Sequence, residues 1–88
     1  MTGGKITVYA LQDMNGTALV GVPVQLQINT NSYSVNTTQL TDTNGETTFT
    51  VNPPMPCPYT VTATYQGVVQ TQSGMISSST DSSNTFLF

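Results

Sequence analysis

The sequence predicts an all-β sandwich, and three observations carry that expectation. Apolar and polar residues alternate with a period of two, turn-forming pairs separate the alternating runs, and no stretch shows a helical stripe. In the run GVPVQLQIN, residues 21–29, Val22, Val24, Leu26 and Ile28 share one face, and Pro23, Gln25 and Gln27 share the other. Pro23 has no N–H to give to a ladder, so it belongs at the start of a strand or on an edge.

The same alternation places Ile6, Val8 and Ala10 together in KITVYALQ, with Tyr9 and Leu11 opposite. It does so again for Thr47, Phe49 and Val51, and for Tyr59, Val61, Ala63 and Tyr65. Thr48, Thr50, Thr60, Thr62 and Thr64 line the outer faces, where a β-branched hydroxyl suits both a strand and water. Weaker strands are expected over residues 33–40 and 67–75. Between the runs, Asn15-Gly16 and Asn44-Gly45 supply the positive φ of tight hairpin turns, and Pro53, Pro54, Pro56 and Pro58 make a rigid connection. Six or seven short strands of this kind indicate a sandwich rather than a βαβ fold.

Eighty-eight residues make one domain, and at that size folding buries only about 60 to 65% of the unfolded surface. Residues 1–76 read as the sandwich. The segment 77–84, rich in serine, reads as a flexible tether, and residues 85–88 as a terminal strand that either closes its own sheet or is donated to a neighbour.

Charged residues are 6% of the chain against about 25% in an ordinary soluble domain. Lys5 is the single base, so there is no basic patch for nucleic acid or anionic lipid. No apolar run reaches the roughly 20 residues of a membrane span, and MTGGKITV lacks the apolar stretch of a signal peptide. With so few titratable groups, stability is expected to vary little with pH. Asn15-Gly-Thr17 and Asn36-Thr-Thr38 are glycosylation sequons, and the chain is expected outside the cell or on its surface.

NGTALVGVPVQL (residues 15–26), TDTNGETTFTV (41–51) and YTVTATYQG (59–67) together resemble bacterial immunoglobulin-like domains of the invasin and intimin type. They are also similar to carboxypeptidase-regulatory-like, transthyretin-like modules. The resemblance covers residues 6–75 and implies an immunoglobulin-like Greek-key sandwich of about seven strands, used elsewhere in spacers, stalks, pili and adhesins. One related group, the collagen-adhesin B-type pilin modules, carries a Lys–Asn isopeptide bond. Here Ala63 stands where that group keeps glutamate, its lysine position falls near Ala10 or Leu11, and only Lys5 and Asn84 remain as a pair, so no isopeptide is expected.

Catalytic, metal and cofactor sites are not expected. The chain has no histidine, and its four acids, Asp13, Asp42, Glu46 and Asp81, fall on separate turns. The segment 42–46 faintly resembles a calcium loop but lacks most of the oxygen ligands of a cage. Cys57 has no base beside it and is expected as a free, packed thiol. Tyr9, Tyr33, Tyr59 and Tyr65 read as core tyrosines before they read as a sugar platform.

These features lead to the expectation of a non-catalytic subunit of an extracellular filament, self-associating into a homopolymer and contacting other cell-surface components. Phe86 and Phe88, or Ile6 and Val8, are the expected inserts of an exchanged strand. A spacer or adhesin module, or a carbohydrate-binding module, is the alternative.

Overall fold

The computed structural model describes residues 4–88. Residues 1–3, part of the N-terminal segment read above for a signal, lie outside the described residues. The seven strands are β1 (Gly4–Leu11), β2 (Pro23–Asn29), β3 (Ser34–Leu40), β4 (Glu46–Val51), β5 (Cys57–Tyr65), β6 (Val68–Ile76) and β7 (Asp81–Leu87). They form a three-stranded sheet in the order β4-β1-β7 and a four-stranded sheet in the order β3-β2-β5-β6. All pairs are antiparallel except β1 with β7, which run parallel. Among the described residues no helix is long and apolar enough to cross a membrane.

Alternation decides the core. Ile6, Val8 and Ala10 from β1, Val24, Leu26 and Ile28 from β2, Phe49 and Val51 from β4, and Tyr59, Val61 and Ala63 from β5 all point between the sheets and are buried. Phe86 of β7 joins them with no exposure. Phe88 packs beside it, its ring 6.2 Å from that of Phe86 and 5.7 Å from that of Tyr65.

The C-terminal segment therefore closes its own sandwich. β7 begins at Asp81, inside the stretch expected to be a tether, and 77–80 is a turn in which the Thr80 hydroxyl accepts the Ser77 N–H at 3.1 Å. Ala10 faces Phe86 across the parallel pair, and Val8 faces Asn84. Ile6, Val8 and Phe86 are thus part of this molecule's own core, and Phe88 packs against it.

The two corners of the sandwich are closed by side chains. Gln70 and Gln72 of β6 donate to the carbonyls of Leu87 and Thr85 in β7, both at 2.6 Å. Deeper in, Asn84 Nδ2 donates to the Tyr59 hydroxyl at 2.6 Å, and that hydroxyl meets Ser82 Oγ at 2.6 Å. At the opposite corner the Thr47 hydroxyl donates to Gln39 Oε1 at 2.7 Å.

The two Asn-Gly turns differ from the expectation in their partners. Gly16 and Gly45 do have positive φ, both 70°. Gly45 joins no neighbouring strands, because 41–45 crosses from one sheet to the other. Gly16 turns a short reversal inside the 12–22 crossing that closes on an isolated antiparallel bridge between Leu11 and Ala18. The crossings are tied together by Thr41, whose hydroxyl donates to the Leu19 carbonyl at 2.6 Å and accepts the Val22 N–H at 2.9 Å. The tight hairpin is β5–β6, where Gln66 and Gly67 both take positive φ, 48° and 80°.

Candidate functional site

The chemistry-bearing residues do not converge. Asp42 Oδ1 accepts the N–H groups of Asn44 and Glu46 at 2.9 and 3.1 Å, so this carboxylate holds the 42–46 turn together. Among the described residues no group of three or more His, Cys, Asp and Glu side chains is placed to hold a metal. Lys5 lies on the outer face beside Asp81, whereas Asn84 points inward to Tyr59, which separates the two residues that an isopeptide would join. Cys57 is free and buried as the first residue of β5, facing the core.

The tyrosines make no platform. Tyr59 is core, Tyr33 and Tyr65 pack against the core's margin, and Tyr9 lies on the other sheet. Asn15 and Asn36 are both exposed. Asn15 Oδ1 accepts the Thr17 N–H at 3.0 Å, and Asn36 Oδ1 accepts Gln25 Nε2 at 2.8 Å.

Two places bring polar groups together. The first is the cluster of Tyr59, Ser82 and Asn84, but Tyr59 is only 2% exposed and the cluster is used up in holding β7 to β5. The second is the outer face of the four-stranded sheet. None of its strands carries a charged residue. Register aligns Thr38, Gln25, Thr62 and Thr71 in one row across it, and Asn36, Gln27, Thr60 and Ser73 in the next. At the end of this array a depression of about 280 Å³ is lined by Gln27, Asn29, Pro58 and Thr60.

That depression exists because β2 and β5 are direct neighbours, with Gln27 opposite Thr60. Pro58 stands on the same outward face as Thr60, and its ring gives a flat apolar wall. The exposed amides of Gln27 and Asn29 each present a donor and an acceptor side by side. No titratable group lines the depression, so what it supplies is recognition by hydrogen bonds. A second depression, about 310 Å³, lies at Pro56, Met75, Ile76, Ser77, Thr80 and Asp81. Sequence reading passed over Gln27 and Asn29 because alternation marks them only as outward-facing.

No protein-family model matches the sequence, and comparison with curated proteins gives no match. Solved structures do match. The 5-hydroxyisourate hydrolase of Klebsiella pneumoniae superposes with a TM-score of 0.72 at 18% identity, over 97% of this chain and 89% of that one. An (S)-allantoin synthase superposes with a TM-score of 0.71 at 12% identity, over 99% of this chain. The chain spans only 40% of that synthase.

Both of these proteins are enzymes, and that overturns two expectations. One is the reading as a structural subunit of a filament, with its spacer, adhesin and carbohydrate-binding alternatives. The other is the exclusion of enzymes. The invasin and intimin side of the resemblance gains no support either, whereas the other side does: in fold this chain is a transthyretin-like β-sandwich.

Proposed function

We propose that the chain recognises a small, neutral, nitrogen-rich ring at the depression on the outer face of its four-stranded sheet. The observation that carries this reading is the pair of free-standing amides, Gln27 and Asn29, beside the Pro58 ring and the Thr60 hydroxyl on a sheet without charge. A carboxamide presents a donor and an acceptor together, which matches the N–H and C=O edge of a lactam or ureide. Pro58 offers such a ring an apolar surface to lie against. The two enzymes of the same fold are named for 5-hydroxyisourate and for allantoin, both compounds of this chemical kind. They support the reading of the ligand class.

The test is a titration of the ¹⁵N-labelled chain with allantoin, with inositol as a ring that has hydroxyls and no amide. Allantoin is expected to shift the side-chain amide signals of Gln27 and Asn29 saturably, with a dissociation constant on the order of millimolar for so shallow a site. Gln27→Ala is expected to weaken binding about tenfold, the consequence of losing a bidentate pair. Equal shifts with inositol, or shifts away from residues 27, 29, 58 and 60, contradict the reading.

A further inference from the structure

The two ends of the sandwich differ sharply in character. One end gathers the crossings 12–22 and 41–45, the β5–β6 hairpin and the C-terminal end of β7. Among the described residues eight large hydrophobic side chains are exposed, and six of them, Met14, Val20, Leu40, Val68, Val69 and Leu87, lie at or beside this end. Their exposure runs from 47% to 90%. Single exposed apolar residues are ordinary, but a gathering of them on a surface otherwise built of Thr, Ser, Asn and Gln marks an interaction site.

The charges separate in the same way. Asp13, Asp42 and Glu46 belong to this end, and Lys5 and Asp81 face each other near the other. With four acids and one base in the chain, the second pair cancels, so the formal net charge of −3 sits entirely on the apolar end.

We infer that this end docks an extended segment of a partner protein in which basic residues alternate with apolar ones. The apolar side chains would pack on Val20, Leu40, Val68 and Val69, and the cations would meet Asp13, Asp42 and Glu46. Charge selects this occupant over a second copy of the chain, because two such ends in contact would bring six negative charges together around an apolar interface. The crossings also suit the role mechanically. Thr41, buried and bonded to Leu19 and Val22, anchors both to each other, so the exposed side chains stand on a fixed base.

The probes are three acetylated octapeptides, alternating Lys–Leu, Lys–Ser and Glu–Leu, titrated into the ¹⁵N-labelled chain. The Lys–Leu peptide is expected to shift signals within 12–22, 41–46 and 66–69, and the other two to bind at least about tenfold more weakly. Raising salt from about 10 mM to about 150 mM is expected to weaken Lys–Leu binding. The exposed double variant Leu40→Ser, Val68→Ser is expected to lose about tenfold in affinity while melting like the parent. Asp13→Asn is expected to lose a few-fold. Equal binding of Lys–Leu and Glu–Leu, shifts centred on the other end, or concentration-dependent shifts at this end without peptide would each overturn the inference.

Discussion

Phe86→Ala is expected to unfold the domain or bring it close to unfolding, whatever the protein concentration. The ring is fully buried, stacked on Phe88 and placed across the parallel pair from Ala10. Truncating a buried phenylalanine costs about 3 to 5 kcal/mol. A chain of 88 residues has roughly 4 to 13 kcal/mol of stability in all. Deleting residues 84–88 removes Asn84 from Tyr59, both Phe rings from the core and two carbonyls from Gln70 and Gln72, so the truncated chain should not fold alone. Circular dichroism of both variants reads the outcome. A truncated chain that keeps its β-signal and a cooperative melt would show that β7 is dispensable to its own sandwich.

Gly45→Ala is the second large effect, and Gly16→Ala is its control. Both glycines have φ of 70°, which costs an L-residue about 1 to 2 kcal/mol. Around Gly16 a new Cβ meets nothing within 4 Å. At Gly45 it would lie 2.7 Å from the Ala10 carbonyl oxygen and 3.0 Å from the Ala18 Cβ. Because the Ala10 N–H donates to the Gly45 carbonyl at 2.7 Å, relieving that clash pulls the turn off β1. Gly16→Ala is expected to lower the melting midpoint by about 5 to 10 °C, and Gly45→Ala by about 15 °C or more. Equal midpoints for the two would mean that backbone strain alone matters and that the 41–45 crossing does not press against β1.

The contrast between these turns shows what was legible in the sequence. Asn44-Gly45 announces its positive φ, but the residues carry no mark of the partner the turn faces, and it joins two sheets instead of two neighbouring strands. β2 and β5 were plain because every inward position is apolar or aromatic. β7 was half hidden because two of its inward residues, Ser82 and Asn84, are polar, and they are polar because Tyr59 brings a hydroxyl into the interior. Gln70 and Gln72 break the alternation of β6 for a related reason, since they bond to β7's main chain. Hydrophobic periodicity cannot register a contact made by buried hydrogen bonds. Parallel pairing of the first and last strands is equally invisible along the chain.

The candidate site was illegible for a different reason. Gln27 and Asn29 are ordinary outward residues of β2, and Pro58 and Thr60 of β5, some thirty positions on. Only the register that sets Gln27 against Thr60 turns them into one surface. The acids were expected on four separate turns, but only Asp13 and Asp42 lie in turns; Glu46 opens β4 bonded to Asp42, and Asp81 opens β7. Three of those turns or strand starts nevertheless lie at one end of the sandwich, and that gathering belongs to the topology.

The self-closed sandwich rests on β7 pairing with β1 of the same molecule. The most direct check is an isotope-filtered NOE experiment on a sample mixed from equal parts of ¹³C-labelled and unlabelled chain. Contacts between Ala10 and Phe86 and between Val8 and Asn84 are predicted within labelled molecules only, with no cross-peak between labelled and unlabelled chains. Cross-peaks between the two populations at those pairs would place β7 in a neighbour's sheet and contradict the self-closed sandwich.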